Sequence, residues 1–212
     1  MVTSFILALT LSSLSAIQAP PEVALQPLGE VDEGVVEGLA RDLGSSFGLR
    51  VAVLPHEPLP GSAYFAPRNR YRAEDLVAFL DRITSPAIPH VLGVTSRDIS
   101  APKGEIADWG VIGVARLGGR PGIVSTYRLR AGGASDALFS TRLDRVAAHE
   151  LGHALGLPHC DTPLCLMNDA HGRLRAIDAS TGLCERCARA LADRTRSFSA
   201  FPAPSQSSVQ TP

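Results

Sequence analysis

The 212-residue chain is 45% hydrophobic and 19% charged, with a formal net charge of −1. That composition supports a buried core within one domain and excludes global disorder. The basic residues are dispersed and mostly Arg, which excludes the concentrated positive face of a protein built to hold nucleic acid or an anionic membrane.

The N-terminus, from Met1 to Leu11, is apolar and then Ser- and Ala-rich up to Ala19-Pro20. Residues 1–19 read as a secretory signal peptide, although no Lys or Arg precedes the apolar run. This segment is too short to span a bilayer, and no other stretch is long and apolar enough to do so. The expected location is secreted or periplasmic if the segment is a signal, and cytoplasmic otherwise.

Beyond it, Val23-Ala24-Leu25 reads as a first strand. Val31 to Phe47 is an amphipathic helix with Val35, Leu39 and Leu43 on one face and Gly44 or Gly48 as its stop. Arg50 to Leu54 is a buried-type strand ended by Pro55, and His56 to Arg70, rich in Pro and Gly, is an irregular loop. Ala73 to Ile83 forms a second helix with Leu76, Val77, Leu80 and Ile83 aligned. His90 to Thr95 is the next strand. Trp109 to Leu117 and Gly122 to Leu129 follow as a pair joined by a turn over Gly118 to Pro121.

A loop over Gly132 to Asp136 precedes a helix from Thr141 to Leu155, with Thr141 and Asp144 as its capping box and Gly156 as its end. A last helix covers Leu183 to Arg196, and residues 197–212 read as a disordered tail. Strands alternating with helices predict an α/β domain over residues 20–196, a mixed twisted sheet backed by helices, with a small Cys-rich lobe.

The chemistry concentrates at His149-Glu-Leu-Gly-His153-Ala-Leu-Gly156-Leu-Pro-His159. Histidines four apart on a helix project from one face, and two imidazoles there can hold one Zn²⁺. Glu150 lies beside the metal rather than on it, the position of a general base. Gly156 can reverse the chain, so that Leu157-Pro158 returns His159 to the same ion. Three neutral nitrogens leave a coordination position open to water, as in catalytic zinc sites. Zinc would acidify water and polarise a scissile carbonyl, while Glu150 takes the water proton and passes it to the departing amine. The alternative, that these are ordinary helix histidines, leaves Glu150, Gly156 and His159 as coincidences. For His56, His90 and His171, the ordinary reading stands.

Four cysteines follow as Cys160-x4-Cys165-x18-Cys184-x2-Cys187. Two closely spaced pairs point to a Cys₄ structural zinc, tying the segment after His159 to the last helix. Two disulfides are the competing reading, which export would favour.

The His149-to-His159 run, Cys160, Cys165-Leu166-Met167 and the closing Cys184-x2-Cys187 resemble the archaemetzincins, a branch of the metzincin metallopeptidases. Weaker echoes lie at Ala66 to Tyr71, Val91 to Asp98, Trp109 to Ala115 and Val124 to Arg128. The resemblance implies a compact metzincin-like fold crossed by an active-site cleft. Trp109 to Leu117 would be an edge strand that holds an extended peptide. Met167 would be the Met-turn residue beneath the zinc ligands, and the four cysteines would bind a second zinc. Peptide or protein substrates, short peptides trimmed in aminopeptidase fashion among them, and a monomeric state follow as expectations.

Two features depart from the family pattern. The Met167–Cys184 gap is one residue shorter than the usual spacing. Asn168 and Asp169 stand where many metzincins carry an oxyanion-stabilising Tyr; Tyr127 and Arg128 could take that role only if their strand end borders the cleft. A catalytically silent peptide-binding module and a zinc hydrolase of non-peptide amides are the alternative functions.

Overall fold

The computed structural model describes residues 20–199, so the segment read as a signal peptide, residues 1–19, and most of the expected tail, residues 200–212, lie outside it. Among the described residues, two sheets and five α-helices make the fold. The larger sheet contains β1 (Val23–Leu28), β2 (Val51–Val53), β5 (His90–Thr95), β8 (Gly113–Ala115) and β9 (Pro121–Ser125), in the order β2-β1-β5-β9-β8. The first four of these are mutually parallel, and β8 closes one edge antiparallel to β9. The smaller sheet has the order β3-β4-β6-β7, from β3 (Tyr64–Phe65), β4 (Arg70–Arg72), β6 (Ile99–Lys103) and β7 (Ile106–Val111).

Alternation along the central strands builds three layers. Val23, Leu25, Leu92, Val94 and Val124 point to one face, where they meet α1 (Glu33–Phe47) and α3 (Asp136–Ala154). Ala24, Val91 and Ile123 point to the other, against Leu76, Val77 and Leu80 of α2 (Ala73–Ile83). With both faces covered, the inner strands are almost wholly apolar and buried, as parallel sheets require. α1 is capped by the Asp32 side chain, which accepts from the Val35 N–H at 3.0 Å, and it ends on left-handed Gly48. The short α4 (Leu174–Ala179) and the final α5 (Glu185–Ser199) complete the cysteine-rich region, whose Cys160, Cys165, Cys187, Met167 and Leu191 join the α1/α3 side of the core.

Several expectations need correction. The Trp109–Leu117 strand is two strands: the chain bends at Ile112 and passes from the small sheet to the large one. The hairpin of β6 and β7 was not expected. Pro102, Lys103 and Glu105 mask its pattern, and left-handed Gly104 turns it. The His56–Arg70 loop contains β3 and the start of β4.

The motif helix starts at Asp136, not Thr141. Its cap is Ser135, whose hydroxyl accepts from the Leu138 N–H at 3.2 Å, and the Thr141 hydroxyl donates to the Ala137 carbonyl inside the helix. The strand expected to reach Leu129 stops at Ser125, where a turn begins. The last helix continues past Arg196 to Ser199. Among the described residues no helix is long and apolar enough to cross a membrane.

Candidate active site

His149 and His153 lie one turn apart on α3, and left-handed Gly156 (φ 88°) turns the chain so that His159 comes back beside them. The three imidazoles each offer a nitrogen, all within 4.8 Å of one another. Their orientation is set by backbone carbonyls. His149 Nδ1 lies 2.7 Å from the Leu166 carbonyl, and His153 Nδ1 lies 2.8 Å from that of Leu157. A carbonyl only accepts, so each Nδ1 carries the hydrogen and each Nε2 keeps a lone pair.

The two Nε2 atoms face each other at 3.0 Å. Two lone pairs at that distance repel unless a cation lies between them. Zinc bonds of about 2.05 Å at tetrahedral angles would set them about 3.3 Å apart. The donor set therefore fits a zinc ion. Burial foremost, with the charges of the neighbouring histidines, lowers the pKa of His149 to about 4, although the Leu166 hydrogen bond opposes it; His153 is lowered for the same leading reason. Both rings are thus neutral and able to act as ligands at neutral pH.

Glu150 is buried between α3 and the edge strand β8. Burial raises its carboxyl to about 8, against the pull of the Ala115 N–H that donates to it. Gly113 makes the close approach possible: a Cβ there would sit 2.6 Å from Glu150 Cγ and Oε1. The Ser125 N–H donates to the Ile112 carbonyl at 2.7 Å. The alternation of an antiparallel ladder then turns the backbone groups of Gly113 and Ala115 away from β9, toward the cleft.

Met167 is fully buried beneath α3, and a Cβ on Gly152 would meet its sulfur at 2.6 Å. The Met167 carbonyl accepts from the Cys160 N–H at 2.8 Å, and Asn168 Nδ2 donates to the Cys160 carbonyl at 2.9 Å. These bonds tie the segment carrying His159 to the turn at Met167.

The cleft, about 400 Å³, is bounded by β8, Trp109, the three histidines and α4. It also contains residues to which the sequence reading gives no part in the site, His171 being an ordinary histidine in that reading. His171 and Asp169 line it as a pair, 2.9 Å apart. Burial opposes ionisation of Asp169, but the His171 N–H and the charges of His159, His171 and Lys103 outweigh it and hold the carboxyl below its ordinary value. Arg145, one turn before His149, lines the cleft as well; its spacing of four from a ligand was the available signal.

Tyr127 and Arg128 do not border the cleft. Tyr127 is exposed, and Arg128 shares the buried Asp98 carboxylate with Arg70 at 2.8 and 2.7 Å.

The four cysteines are free thiols, with their sulfurs all within 4.8 Å of one another. Cys160 and Cys184 Sγ are 3.7 Å apart, close to the edge of about 3.8 Å in a tetrahedron with 2.3 Å zinc–sulfur bonds and far from a disulfide length. Hydrogen bonds from Thr162 foremost, then Arg186, lower the Cys160 pKa, while burial raises that of Cys187.

Residues 60–193 match the family model described as peptidase family M54. The archaemetzincin of Haloarcula marismortui is 33% identical over 175 residues, covering 79% of this chain and 97% of the relative. The crystal structure of Archaeoglobus fulgidus archaemetzincin complexed with malonate superposes with a TM-score of 0.68 at 34% identity, covering 79% of this chain and 98% of that one. The Methanopyrus kandleri archaemetzincin gives 0.70 at 28% identity, covering 85% and 99%. The chain belongs to peptidase family M54, the archaemetzincins, a family of zinc metallopeptidases.

Proposed function

We propose that the chain hydrolyses peptide bonds of short peptides in the cleft under β8, with Glu150 as general base and His149, His153 and His159 as ligands of a catalytic zinc. The observation that carries this reading is the pair of facing Nε2 atoms, 3.0 Å apart and backed by carbonyls, with a buried carboxyl beside them. Zinc, when bound there, supplies a Lewis acid that polarises a carbonyl and makes water more acidic.

The protein's own groups do the rest. Extended substrate aligns along the outward backbone groups of Gly113 and the Ala115 carbonyl, the Ala115 N–H being held by Glu150. Glu150 Oε takes a proton from the attacking water and returns it to the leaving amine nitrogen; a carboxyl raised by burial is well matched to both transfers near neutral pH. The carbonyls of Leu166 and Leu157 hold the His149 and His153 rings in one tautomer throughout.

Asp169 gives the cleft a charged carboxylate within electrostatic reach of His159, suited to a substrate's amino terminus. This supports trimming from the N-terminal end. A second zinc at Cys160, Cys165, Cys184 and Cys187 is structural, with no position left for water.

The test is a proteome-derived peptide library digested by zinc-loaded protein and read by mass spectrometry, with Glu150→Ala as control. The expected result is cleavage concentrated at N-terminal residues that falls by roughly 10²-fold or more in the control. Zinc-loaded protein that cuts nothing would overturn the reading.

A further inference from the structure

The cleft holds a cation that the reaction does not use. Arg145 stands four residues before His149, so the two lie on one face of α3, about 6 Å apart along its axis. Its guanidinium reaches α4, where Nη1 donates to the carbonyls of Ile177 and Asp178 at 3.0 and 2.8 Å. Nε and Nη2 of Arg145 make no hydrogen bond among the described residues. The nearby Asp178 carboxylate does not neutralise it, because Arg142 already holds both its oxygens, at 2.7 and 2.8 Å. Two guanidinium groups against one carboxylate leave a net positive charge at this end of the cleft.

A second observation points to a ligand. Ser180, just past α4, also lines the cleft; it is 7% exposed, and its buried hydroxyl has no hydrogen-bond partner. A native fold rarely leaves a buried hydroxyl unpaired unless something else comes to meet it. Val146, Ala176, Ile177 and Ala179 line the same stretch with apolar walls, which strengthens any charge interaction there.

We propose that Arg145 and Ser180 form a subsite for a substrate carboxylate within about one residue of the scissile bond. The guanidinium binds the carboxylate through Nε and Nη2 in a forked pair, and the Ser180 hydroxyl, buried and unpaired as it stands, donates a third bond once its side chain turns to the cleft. The carboxylate is either an acidic side chain or the free C-terminus of a very short peptide; both present the same chemistry. The inference rests on the peptidase reading and narrows its substrates to anionic peptides.

Matched peptides with Glu or Gln at each position flanking the bond, made as free acids and as C-terminal amides, test it on the zinc-loaded protein. The expected kcat/KM favours the carboxylate member by about tenfold or more, the scale of a charge-assisted pair. Arg145→Gln brings that ratio toward 1, Ser180→Ala lowers it less, and Arg145→Lys, which keeps the charge without the fork, retains part of it. A preference that follows Glu identifies a side-chain subsite, and one that follows the free acid identifies the chain end. A wild-type ratio near 1, or one that survives Arg145→Gln, overturns the proposal.

Binding of N-acetylglutamate α-amide against its glutamine counterpart, titrated calorimetrically into zinc-loaded Glu150→Gln protein, separates this from failure of the peptidase reading. Glutamate-selective binding lost in the Arg145→Gln/Glu150→Gln double variant supports the subsite even where no peptide is cut. Equal binding of the two probes sinks it.

Discussion

Gly113 is the residue on which the placement of Glu150 depends. Adding one methyl group puts a Cβ 2.6 Å from Glu150 Cγ and Oε1 and 2.8 Å from its carboxyl carbon. Gly113→Ala is therefore expected to displace the carboxylate and lower kcat by at least about tenfold, the smaller end of what a misplaced acid–base group costs. Zinc content should stay at the wild-type level, because the three atoms nearest an added Cβ all belong to Glu150 and none to a histidine. Metal analysis beside turnover checks this; a variant with wild-type kcat would mean that Glu150 is not held by this contact. Glu150 and the histidines were legible because their spacing is chemical and local. Gly113 was not, since its partner lies 37 positions away.

At the scale of elements, α3 carries both the chemistry and a liability. Asp144, half-buried where α3 packs on α1, has its carboxyl raised from 3.8 to about 6 by burial first and by the charge of Asp42 on α1 second. The folded protein thus holds this proton more tightly than the unfolded chain. Its contribution to stability is fully present below pH ~4 and is lost as pH rises through about 6. Asp144→Asn should accordingly raise the melting temperature relative to wild type above pH ~6 and leave the difference near zero at pH ~4. A pH-independent difference would show that the carboxyl is not perturbed.

Sequence periodicity located α1, α2 and the central strands because each presents an apolar repeat to a buried face. It misplaced the start of α3: Thr141 and Asp144 imitate a cap, while Ser135, six residues earlier, is the residue whose hydroxyl meets a free helix N–H. A capping pattern identifies a residue able to cap, and the preceding chain direction decides which one does.

For the whole molecule, the four cysteines join the turn after His159 to the start of α5, far apart in sequence but packed into the same core as α1 and α3. A metal bound here would contribute directly to folding. Cys184→Ser is expected to reduce zinc from two ions per chain toward one and to lower the melting temperature by several degrees, roughly the effect of losing 1–2 kcal/mol in a domain of this size. Chelation of the wild-type protein should expose four reactive thiols that are protected beforehand. Unchanged stability in the variant, or thiols absent in both states, would count against a Cys₄ zinc.

The amino-acid sequence alone picked out the three clustered histidines, the carboxyl beside them, the cysteine set and the layered α/β architecture, since each rests on local spacing or on periodic burial. Only the tertiary structure decided that Gly113–Ala115 alone, within the Trp109–Leu117 stretch, forms the edge of the larger sheet, that Arg128 is spent on Asp98 instead of the site, and that Asp169, Arg145 and Ser180 share the cavity with the histidines. Those facts depend on a bend at Ile112, a turn after β9 and the packing of α4 on α3. Such contacts join distant segments, so no local pattern of residues reports them.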